Sequence, residues 1–168
     1  RYGGRLSSVL DVKLNNGRSD KIRVQGGIGL ISSRIGIDGP IKKNKHSFIV
    51  SARRTYVNLI TGLFNKTLPD SLQIPAYYFY DINGKASFKL GSKDNLSVNF
   101  YYGKDFFTQA RTNFSNKLQW GNTAASAEWK RQINDNTSLS TVAYFGGYQY
   151  RINNRFGVNN VSVGSDIY

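Results

Sequence analysis

Residues 76–107 read AYYFYDINGKASFKLGSKDNLSVNFYYGKDFF, and this stretch decides the fold. Apolar and polar side chains alternate along it, before and after a break at residues 92–95. The apolar positions are Tyr78, Tyr80, Ile82, Gly84, Ala86, Phe88 and Leu90, then Leu96, Val98, Phe100 and Tyr102. Because successive side chains of a strand point to opposite faces, a period of two puts this set on one face. The stretch therefore predicts a long antiparallel hairpin with one apolar and one polar face.

The apolar face of this hairpin is layered along its length. Its middle is small and aliphatic, with Gly84 and Ala86, whereas its ends are aromatic, with Tyr78, Tyr80 and Tyr102. A strand that crosses a bilayer meets hydrocarbon in its middle and an interface rich in Trp and Tyr at each end. The layering therefore predicts strands that span a membrane.

The composition narrows the class of protein. There is no cysteine, which excludes disulfides and thiolate metal sites, and no methionine, from which we expect a mature product or a fragment. No apolar run approaches the ~18–20 residues of a membrane-spanning helix. Mean hydropathy is negative although 14% of the residues are aromatic. This combination is typical of a barrel with a wet lumen and interfacial aromatic belts.

The formal net charge of +13 first suggests a nucleic-acid partner. The basic residues are scattered along turns and polar faces, however, and only residues 42–45 and 53–54 cluster. With no basic helix or dense basic tract, we predict no nucleic-acid partner. A soluble basic β-protein that binds nucleic acid stays the third alternative, and it would bind less tightly as salt rises.

Breaks of alternating length separate the strand-like segments, of which seven can be counted. Tight turns are predicted at residues 42–45, 92–95 and 134–137, and long loops at residues 61–75, 108–115 and 153–168. Short turns at one end and long loops at the other are typical of outer-membrane barrels. The third strand is predicted over residues 46–59. A change of phase in the sixth strand predicts a bulge between Gly121 and Thr123.

Three segments carry a resemblance to a known family. They are RYGGRLSSVLDVKL (residues 1–14), GGIGLISSRIGIDGPI (residues 26–41) and SFIVSARRTYVNLI (residues 47–60). Together they resemble the plug–barrel junction and first barrel strands of TonB-dependent outer-membrane transporters, in the form common in Bacteroidota. The resemblance runs to about Tyr80, and in general pattern to Ile152.

This resemblance implies an all-β fold and a division of the chain. Residues 1–14 would be the C-terminal end of the plug domain, residues 15–20 a linker, and residues 21–168 the N-terminal part of a transmembrane β-barrel. The barrel part would be an antiparallel segment of about seven long meander strands, incomplete and preceded by the last plug strand. Because a TonB box, most of the plug and about two-thirds of the usual 22 strands are lacking, the resemblance implies a fragment of a longer protein.

The function that the resemblance implies is active transport across the Gram-negative outer membrane. A nutrient such as a siderophore, glycan or peptide would bind from outside, and TonB would pull on a plug segment that this chain lacks. The implied partners are outer-membrane lipid and lipopolysaccharide, the remainder of the barrel and plug, the TonB complex and a surface lipoprotein. The strands would supply wall, lumen polarity and membrane anchorage.

No catalytic constellation emerges from the residues themselves. His46 is the single histidine and lies beside a turn, and Asp81 and Asp105 are too isolated to indicate a carboxylate pair. The glycines of residues 26–29 are not a phosphate loop, because no Lys-Ser/Thr or helix follows them. We therefore predict no catalytic, cofactor-binding or metal site and no enzyme activity.

Two groups of residues carry hypotheses about sites. The candidate lumen or plug contacts are Arg1, Arg5, Arg53, Arg54, Lys85 and Lys89. The candidate interface aromatics are Tyr78, Tyr80, Tyr102, Trp129 and Tyr148, for which a sugar-stacking platform is the alternative. One of the two adjacent arginines must face the lumen, where it would bind plug carboxylates or an anionic solute; the other interpretation is a structural ion pair or a rim arginine that reaches lipopolysaccharide.

A small complete barrel is the second interpretation of the sequence. An eight-stranded outer-membrane barrel with a structural or adhesive role needs about this length. It predicts an eighth strand within residues 153–168 that pairs with residues 21–30, and it leaves residues 1–14 without a role.

Overall fold

Eight antiparallel strands form one open sheet in the computed structural model, which describes residues 13–168. The strands are β1 Arg23–Ile28, β2 Ser32–Lys42, β3 His46–Thr55, β4 Ala76–Lys89, β5 Asp94–Arg111, β6 Phe114–Asn134, β7 Thr137–Phe156 and β8 Asn159–Ile167. Their order in the sheet is their order in the chain. The predicted all-β meander is confirmed, with eight strands instead of seven, and the open sheet is consistent with an incomplete barrel. The predicted plug segment, with Arg1 and Arg5, lies outside the described residues except for its last two positions.

The register of the β4–β5 hairpin confirms the predicted separation of faces. Ile82 pairs with Tyr102, and Gly84 pairs with Phe100. Direct cross-strand partners point to the same side of a sheet. The alternating apolar positions of both strands therefore share one face, and the polar positions share the other.

A helical connection joins β3 to β4. The connection contains helix α1, Val57–Asn65, and a 3₁₀ helix, Asp70–Leu72. The prediction of a strand through residue 59 was wrong, because β3 ends at Thr55. The β-branched residues of VNLITGLFN favour a strand in isolation, but strand preference depends on cross-strand neighbours. No helix of residues 13–168 is long and apolar enough to cross a membrane.

Side-chain hydrogen bonds order this connection. Asn65 donates from Nδ2 to the Ile74 carbonyl and accepts the Ile74 N–H at Oδ1, each at 2.8 Å. Asp70 accepts the backbone N–H of Thr112, at the tip of the β5–β6 hairpin, at 2.9 Å. The connection is therefore fastened to the neighbouring hairpin.

Two predicted loops are strands. Residues 108–115 continue the β5–β6 ladder to the pair Arg111 and Phe114, and residues 159–167 form β8. Residues 108–115 carry polar side chains on both faces and show no hydrophobic period, whereas in β8 the alternation of Val161, Val163 and Ile167 was overlooked. Backbone hydrogen bonds continue through them regardless of side-chain polarity. The predicted turns at the opposite end, by contrast, agree with strand ends at Lys42, Lys89 and Asn134.

The predicted bulge in β6 was also wrong. Tyr102 pairs with Thr123 and Lys104 with Gly121 without a shift of register. The change of phase has another cause, because the polar face itself carries large apolar side chains, Leu118 and Trp120, toward one end of β6. The register shift of β6 lies instead near Gln132, before the turn into β7.

The closed eight-stranded barrel does not form among the described strands. The predicted eighth strand exists, but β8 pairs with β7 over residues 148–167, and β1 pairs with β2. The sheet therefore keeps two edges, one at β1 and one at β8. Residues 137–147 of β7 add to the second edge, because β8 pairs only with the later part of that strand.

Candidate functional site

The sheet has two faces of opposite chemistry, which we name the apolar face and the polar face. The middle of the apolar face contains Ile35, Ile37, Val50, Ala52, Ile82, Gly84, Ala86, Val98, Phe100, Ala125, Ala127, Ala143 and Phe145. A row is a set of cross-strand partners that runs across the sheet. Between the row of Tyr102 and the row of Leu96, β2–β7 place no charged side chain on this face. The result is a charge-free apolar band.

Burial in the sheet is the inverse of burial in a water-soluble domain. No apolar side chain of the described residues is fully buried, and Phe100 in the middle of the band is 45% exposed. Apart from three glycines, the buried residues of the described chain are polar, and they include Asp38 at 1% and Asp81 at 6% exposure. Water-soluble proteins bury apolar groups and rarely bury aspartate. This sheet therefore has its polar interactions inside and its apolar surface outside.

Aromatic rings border the apolar band at one end. Tyr78 stacks on Phe106 with ring centroids 4.6 Å apart, and Tyr80 lies 6.2 Å from Tyr102. We name this the projecting end, because the β5–β6 hairpin continues beyond the rings to its turn at residues 112–113. The predicted interface residues Tyr78, Tyr80 and Tyr102 thus form one cluster.

The other border of the band, the turn end, lies beside the turns at residues 43–45, 90–93 and 135–136. There His46 and Phe88 have ring centroids 5.5 Å apart. Trp129 pairs with Leu96 and donates from Nε1 to the Asp94 carboxylate at 3.1 Å. Trp129, another predicted interface aromatic, therefore shares the apolar face with the tyrosine cluster but lies at its opposite end.

Tyr148 does not join the other candidate aromatics. Its cross-strand partner is Asn122, which places it on the polar face, and its ring lies 6.3 Å from that of Tyr150. The grouping of Tyr148 with an apolar-face girdle therefore has to be corrected. The sequence of β7 does not mark its apolar face, because aromatic residues occur on both faces, with Phe145 on the side opposite Tyr148.

An ion pair in the middle of the polar face joins β3 to β4. Arg53 donates from Nε to Oδ2 of Asp81 at 2.8 Å, and its Nη2 lies 2.7 Å from the same oxygen. The guanidinium also lies 4.8 Å from the centre of the Phe79 ring. Arg34 is the cross-strand partner of Arg53 on the other side, in β2. Two arginines and one buried carboxylate therefore share one row.

A hollow of about 450 Å³ opens on the polar face at this row. Its lining includes Arg34, Gly36, Ser51, Arg53, Asp81 and Asn83. Ser51 donates to Asn83 at 2.8 Å. Charged and hydrogen-bonding groups converge here from three strands, and this arrangement can bind a polar or anionic group.

The junction segment, residues 13–20, lies against the polar face. Lys85 donates from Nζ to the Leu14 carbonyl at 2.9 Å, and Ser87 donates to Oδ1 of Asn16 at 3.1 Å. Gly17 approaches β3 so closely that an added Cβ would overlap the Phe48 carbonyl oxygen. The segment is therefore seated on the sheet by specific contacts.

The buried Asp38 binds the end of the junction segment that follows Gly17. Its Oδ2 accepts the Arg18 N–H at 3.1 Å, and its Oδ1 accepts Nε of Arg23 at 2.8 Å. The backbone of Asn44 donates to the Ser19 carbonyl at 2.8 Å. The junction segment thus runs over the polar face toward the turn end of the sheet.

The candidate contact residues separate by face. Arg53, Lys85 and Lys89 lie on the polar face, and Lys85 reaches the last residue of the predicted plug segment. Arg54 lies on the apolar face, with its guanidinium 5.7 Å from the centre of the Tyr78 ring. The two adjacent arginines thus point to opposite sides of the sheet, and Arg1 lies with Arg5 outside the described residues.

Sequence reasoning missed several residues of the polar face. Arg34 and Asp38 were not singled out, nor was the pair in which Tyr77 donates to Asp105 at 2.5 Å. The ring of Tyr77 also stacks on Trp120 at 6.2 Å. These partners come from different strands, so only a known register could have predicted them. No group of three His, Cys, Asp or Glu side chains within residues 13–168 is placed to hold a metal ion.

Comparison of the chain with protein-family models, with curated proteins and with solved structures found no match.

Proposed function

We propose that the chain forms part of the wall of a TonB-dependent transporter of the Gram-negative outer membrane, which imports a siderophore, glycan, peptide or similar nutrient through a plugged β-barrel. The inverted burial carries this proposal: Asp38 and Asp81 are buried, whereas Phe100 and its neighbours are exposed. A contiguous apolar face of this size would drive aggregation in water. A bilayer covers such a face, and a β-sheet satisfies its own backbone groups there.

The height of the apolar band supports a transmembrane role. Tyr78 and Phe88, the aromatic borders of the band, are ten residue steps apart along β4. At about 3.3 Å per residue, and with the strand tilt of about 40° that barrels require, this length spans about 25 Å. Outer-membrane barrels carry an apolar band of about 25 Å with aromatic girdles at both interfaces.

The junction segment supports a plugged barrel over an empty one. In the proposed arrangement the polar face lines the lumen, and residues 13–20 enter along it from the turn end. The turn end would face the periplasm, because barrels have short periplasmic turns and longer extracellular projections. The connection with α1 and the long β5–β6 hairpin would then be extracellular.

The open edges support a larger barrel. β1, β8 and residues 137–147 of β7 present unpaired backbone groups at the edges of the described sheet. Within a bilayer each unpaired group costs several kcal/mol, so a spanning sheet must be closed by further strands. In the proposed transporter the remaining barrel strands pair with these edges.

The polar face supplies charge for the transport path. The hollow at Arg34 and Arg53 would face the lumen next to the plug, where its cations attract anionic groups of a solute or of the plug. TonB would act on a plug segment outside this chain, and movement of the plug would expose this wall to the passing solute.

A labelling experiment tests the membrane role. The chain has no cysteine, so Val98→Cys and Asn99→Cys each introduce a single site within it, on the apolar and the polar face respectively. A nitroxide at position 98 of the full-length protein in lipid vesicles should be accessible to oxygen and shielded from a water-soluble nickel complex. A nitroxide at position 99 should behave in the opposite way. Nickel access at both positions would contradict the proposal.

A second experiment tests transport by a plugged barrel. A disulfide between Asn16→Cys and Ser87→Cys, whose native side chains are hydrogen-bonded at 3.1 Å, would fasten the junction segment to the wall. We expect the oxidised double variant to lose TonB-dependent growth or uptake on the transported nutrient, and reduction to restore it. The two single variants are the controls, and transport that continues after full oxidation would count against a moving plug.

A further inference from the structure

Five aromatic rings lie around one carboxylate on the polar face, near the projecting end. Asp105 in β5 is the direct cross-strand partner of Phe79 on one side and of Trp120 on the other. Trp120 in turn pairs with Tyr150 of β7, whose ring lies 6.3 Å from that of Tyr148. We name Asp105 and these rings the acidic aromatic site, with the rings of Phe79, Tyr77, Trp120, Tyr150 and Tyr148.

Tyr77 joins the carboxylate and the rings into one surface. Its ring lies 6.1 Å from that of Phe79 and 6.2 Å from that of Trp120. Its hydroxyl donates to Oδ1 of Asp105 at 2.5 Å. Because an ionised carboxylate accepts up to about four hydrogen bonds, Asp105 keeps acceptor positions for a ligand.

The rows of this site carry negative charge without an equal positive charge. In the rows of Asp81, Asp105 and Tyr77, β4–β8 place two carboxylates and no basic side chain on the polar face. Arg53 of β3 neutralises Asp81 through the ion pair at 2.7 Å. Lys104 is next to Asp105 in the sequence but points to the apolar face. Within residues 13–168, Asp105 therefore has no cationic partner.

The neighbouring Arg53 shows which kind of group such a surface binds. Its guanidinium lies 4.8 Å from the centre of the Phe79 ring while it donates to the Asp81 carboxylate. Cations are attracted to the faces of aromatic rings, most strongly to Trp, and a carboxylate adds charge-assisted hydrogen bonds. Trp120 and Asp105 offer the same two features without a cation of the described chain. The site is therefore complementary to a guanidinium or ammonium group.

Two other kinds of ligand fit this site less well. An anionic group would approach the carboxylate of Asp105 in rows that hold no basic side chain. An uncharged ring could stack on Trp120 or Tyr150, but it would cover an ionised carboxylate without supplying a counter-charge, which is costly. Charge complementarity thus favours a cationic ligand.

We propose that the acidic aromatic site binds the basic side chain of a peptide solute. The inference rests on the proposed function, because it selects one class of nutrient for a transporter whose lumen is lined by the polar face. On the same face, the hollow at Arg34 and Arg53 can bind an anionic group. A peptide with a basic side chain and a C-terminal carboxylate therefore complements both sites. Arginine should bind more tightly than lysine, because a guanidinium stacks on rings while it pairs with a carboxylate.

Isothermal titration calorimetry of the full-length protein in amine-oxide micelles tests this binding, with triarginine, trilysine and trialanine as probes. We expect the affinity to fall in that order. Asp105→Asn should weaken triarginine binding at least about tenfold, because it removes one partner of a charge pair. Trp120→Leu, which keeps apolar volume but has no aromatic face, should weaken it at least about fivefold, and Trp120→Phe less than about threefold. Raising sodium chloride from about 0.05 M to about 0.5 M should also weaken it.

The same two strands supply matched controls. Asp94→Asn removes another aspartate of β5 and Trp129→Leu the other tryptophan of β6, both on the apolar face at the turn end. Each should change the affinity for triarginine less than twofold. Equal losses in the control and site variants would overturn the inference, as would trialanine bound as tightly as triarginine. Binding of maltotriose that is lost in Trp120→Leu and kept in Asp105→Asn would overturn it in favour of a neutral stacking surface.

A cationic side chain of the plug is the other source of this chemistry. If it occupies the site, triarginine does not bind to the unmodified protein, and the inference is overturned. The labels at positions 98 and 99 separate that result from a failure of the proposed function. If they report insertion while triarginine does not bind, only the peptide inference fails. If both positions contact water, the proposed function fails, and the assignment of a transported peptide fails with it.

Discussion

Arg53 and Asp81 form an ion pair across the β3–β4 ladder, as direct partners in the register with Nη2 and Oδ2 2.7 Å apart. Their side chains belong to the polar face, where Asp81 is nearly fully buried and Arg53 is half exposed. The adjacent Arg54 points to the other face and lies over the ring of Tyr78. One dipeptide therefore supplies an ion pair to one side of the sheet and a cation–aromatic contact to the other.

Removing the charge of Asp81 should destabilise the sheet. Asp81→Asn keeps the shape of the side chain but removes the anionic acceptor of Arg53. Hydrogen bonds to charged groups contribute about 1.5–3 kcal/mol, and because Arg53 is half exposed we expect a loss of about 1–2 kcal/mol in the free energy of unfolding. Urea unfolding in lipid vesicles, followed by tryptophan fluorescence, measures the change. Asp135→Asn in the turn at residues 135–136 is the control and should change stability by less than about 0.5 kcal/mol.

A charge on the apolar face should be far more costly than the same charge on the polar face. Ala124 and Ala125 are neighbours in β6 and point to opposite faces. If the sheet spans a bilayer, Ala125→Arg should destabilise it by about 2–4 kcal/mol, as arginine does near the midplane of a membrane barrel. Ala124→Arg should cost less than about 1 kcal/mol, because that face is polar and solvated. Equal costs in a vesicle unfolding assay would show that the two faces share one environment.

Gly17 should be required for the close packing of the junction segment against β3. Gly17→Ala places a Cβ where the Phe48 carbonyl oxygen already lies, so the segment must move away from β3. Overpacking of this kind costs about 1–3 kcal/mol, and we expect a cysteine at position 16 to react with a maleimide at least about fivefold faster. Gly146→Ala, where an added Cβ meets nothing within 4 Å, is the control. An unchanged reaction rate would mean that the segment does not rest on this strand.

The connection between β3 and β4 should loosen in acid. The N–H of Thr112 holds the pKa of Asp70 below its usual range, because that hydrogen bond stabilises the carboxylate. A lowered pKa in the folded state means that the contribution is present above the unfolded value of about 3.9 and is lost as pH falls through the folded pKa. Spin labels at Ser71→Cys and Asn113→Cys should therefore separate below about pH 4. In Asp70→Asn their distance should not depend on pH over this range.

The alternation of apolar and polar residues predicted a large part of the fold. It correctly predicted the faces of residues 76–107 and the three tight turns of the turn end, because side chains in an extended chain alternate whatever the rest of the protein does. The same rule required Arg53 and Arg54 to face opposite sides. Local backbone geometry therefore encodes which residues share a face.

The rule failed where both faces carry similar residues. Beyond the aromatic cluster, β5, β6 and β7 carry a mixture of polar and apolar side chains on either side, so no period marks residues 108–115 as strand or assigns a face to Tyr148. The strands persist there because their backbone hydrogen bonds do not depend on side-chain polarity. α1 likewise replaced a predicted strand, since β3 ends at Thr55, opposite the first residue of β2.

From the sequence alone, the alternation determined an antiparallel all-β chain with one apolar and one polar face. The tertiary structure alone decided which residues meet across strands, since register is a relation between segments far apart in the chain. Arg53 finds Asp81 across 28 positions, and Lys85 reaches Leu14 across 71. Charge complementarity between separate strands and the steric fit of Gly17 seat the junction segment, and neither leaves a periodic signal in the sequence.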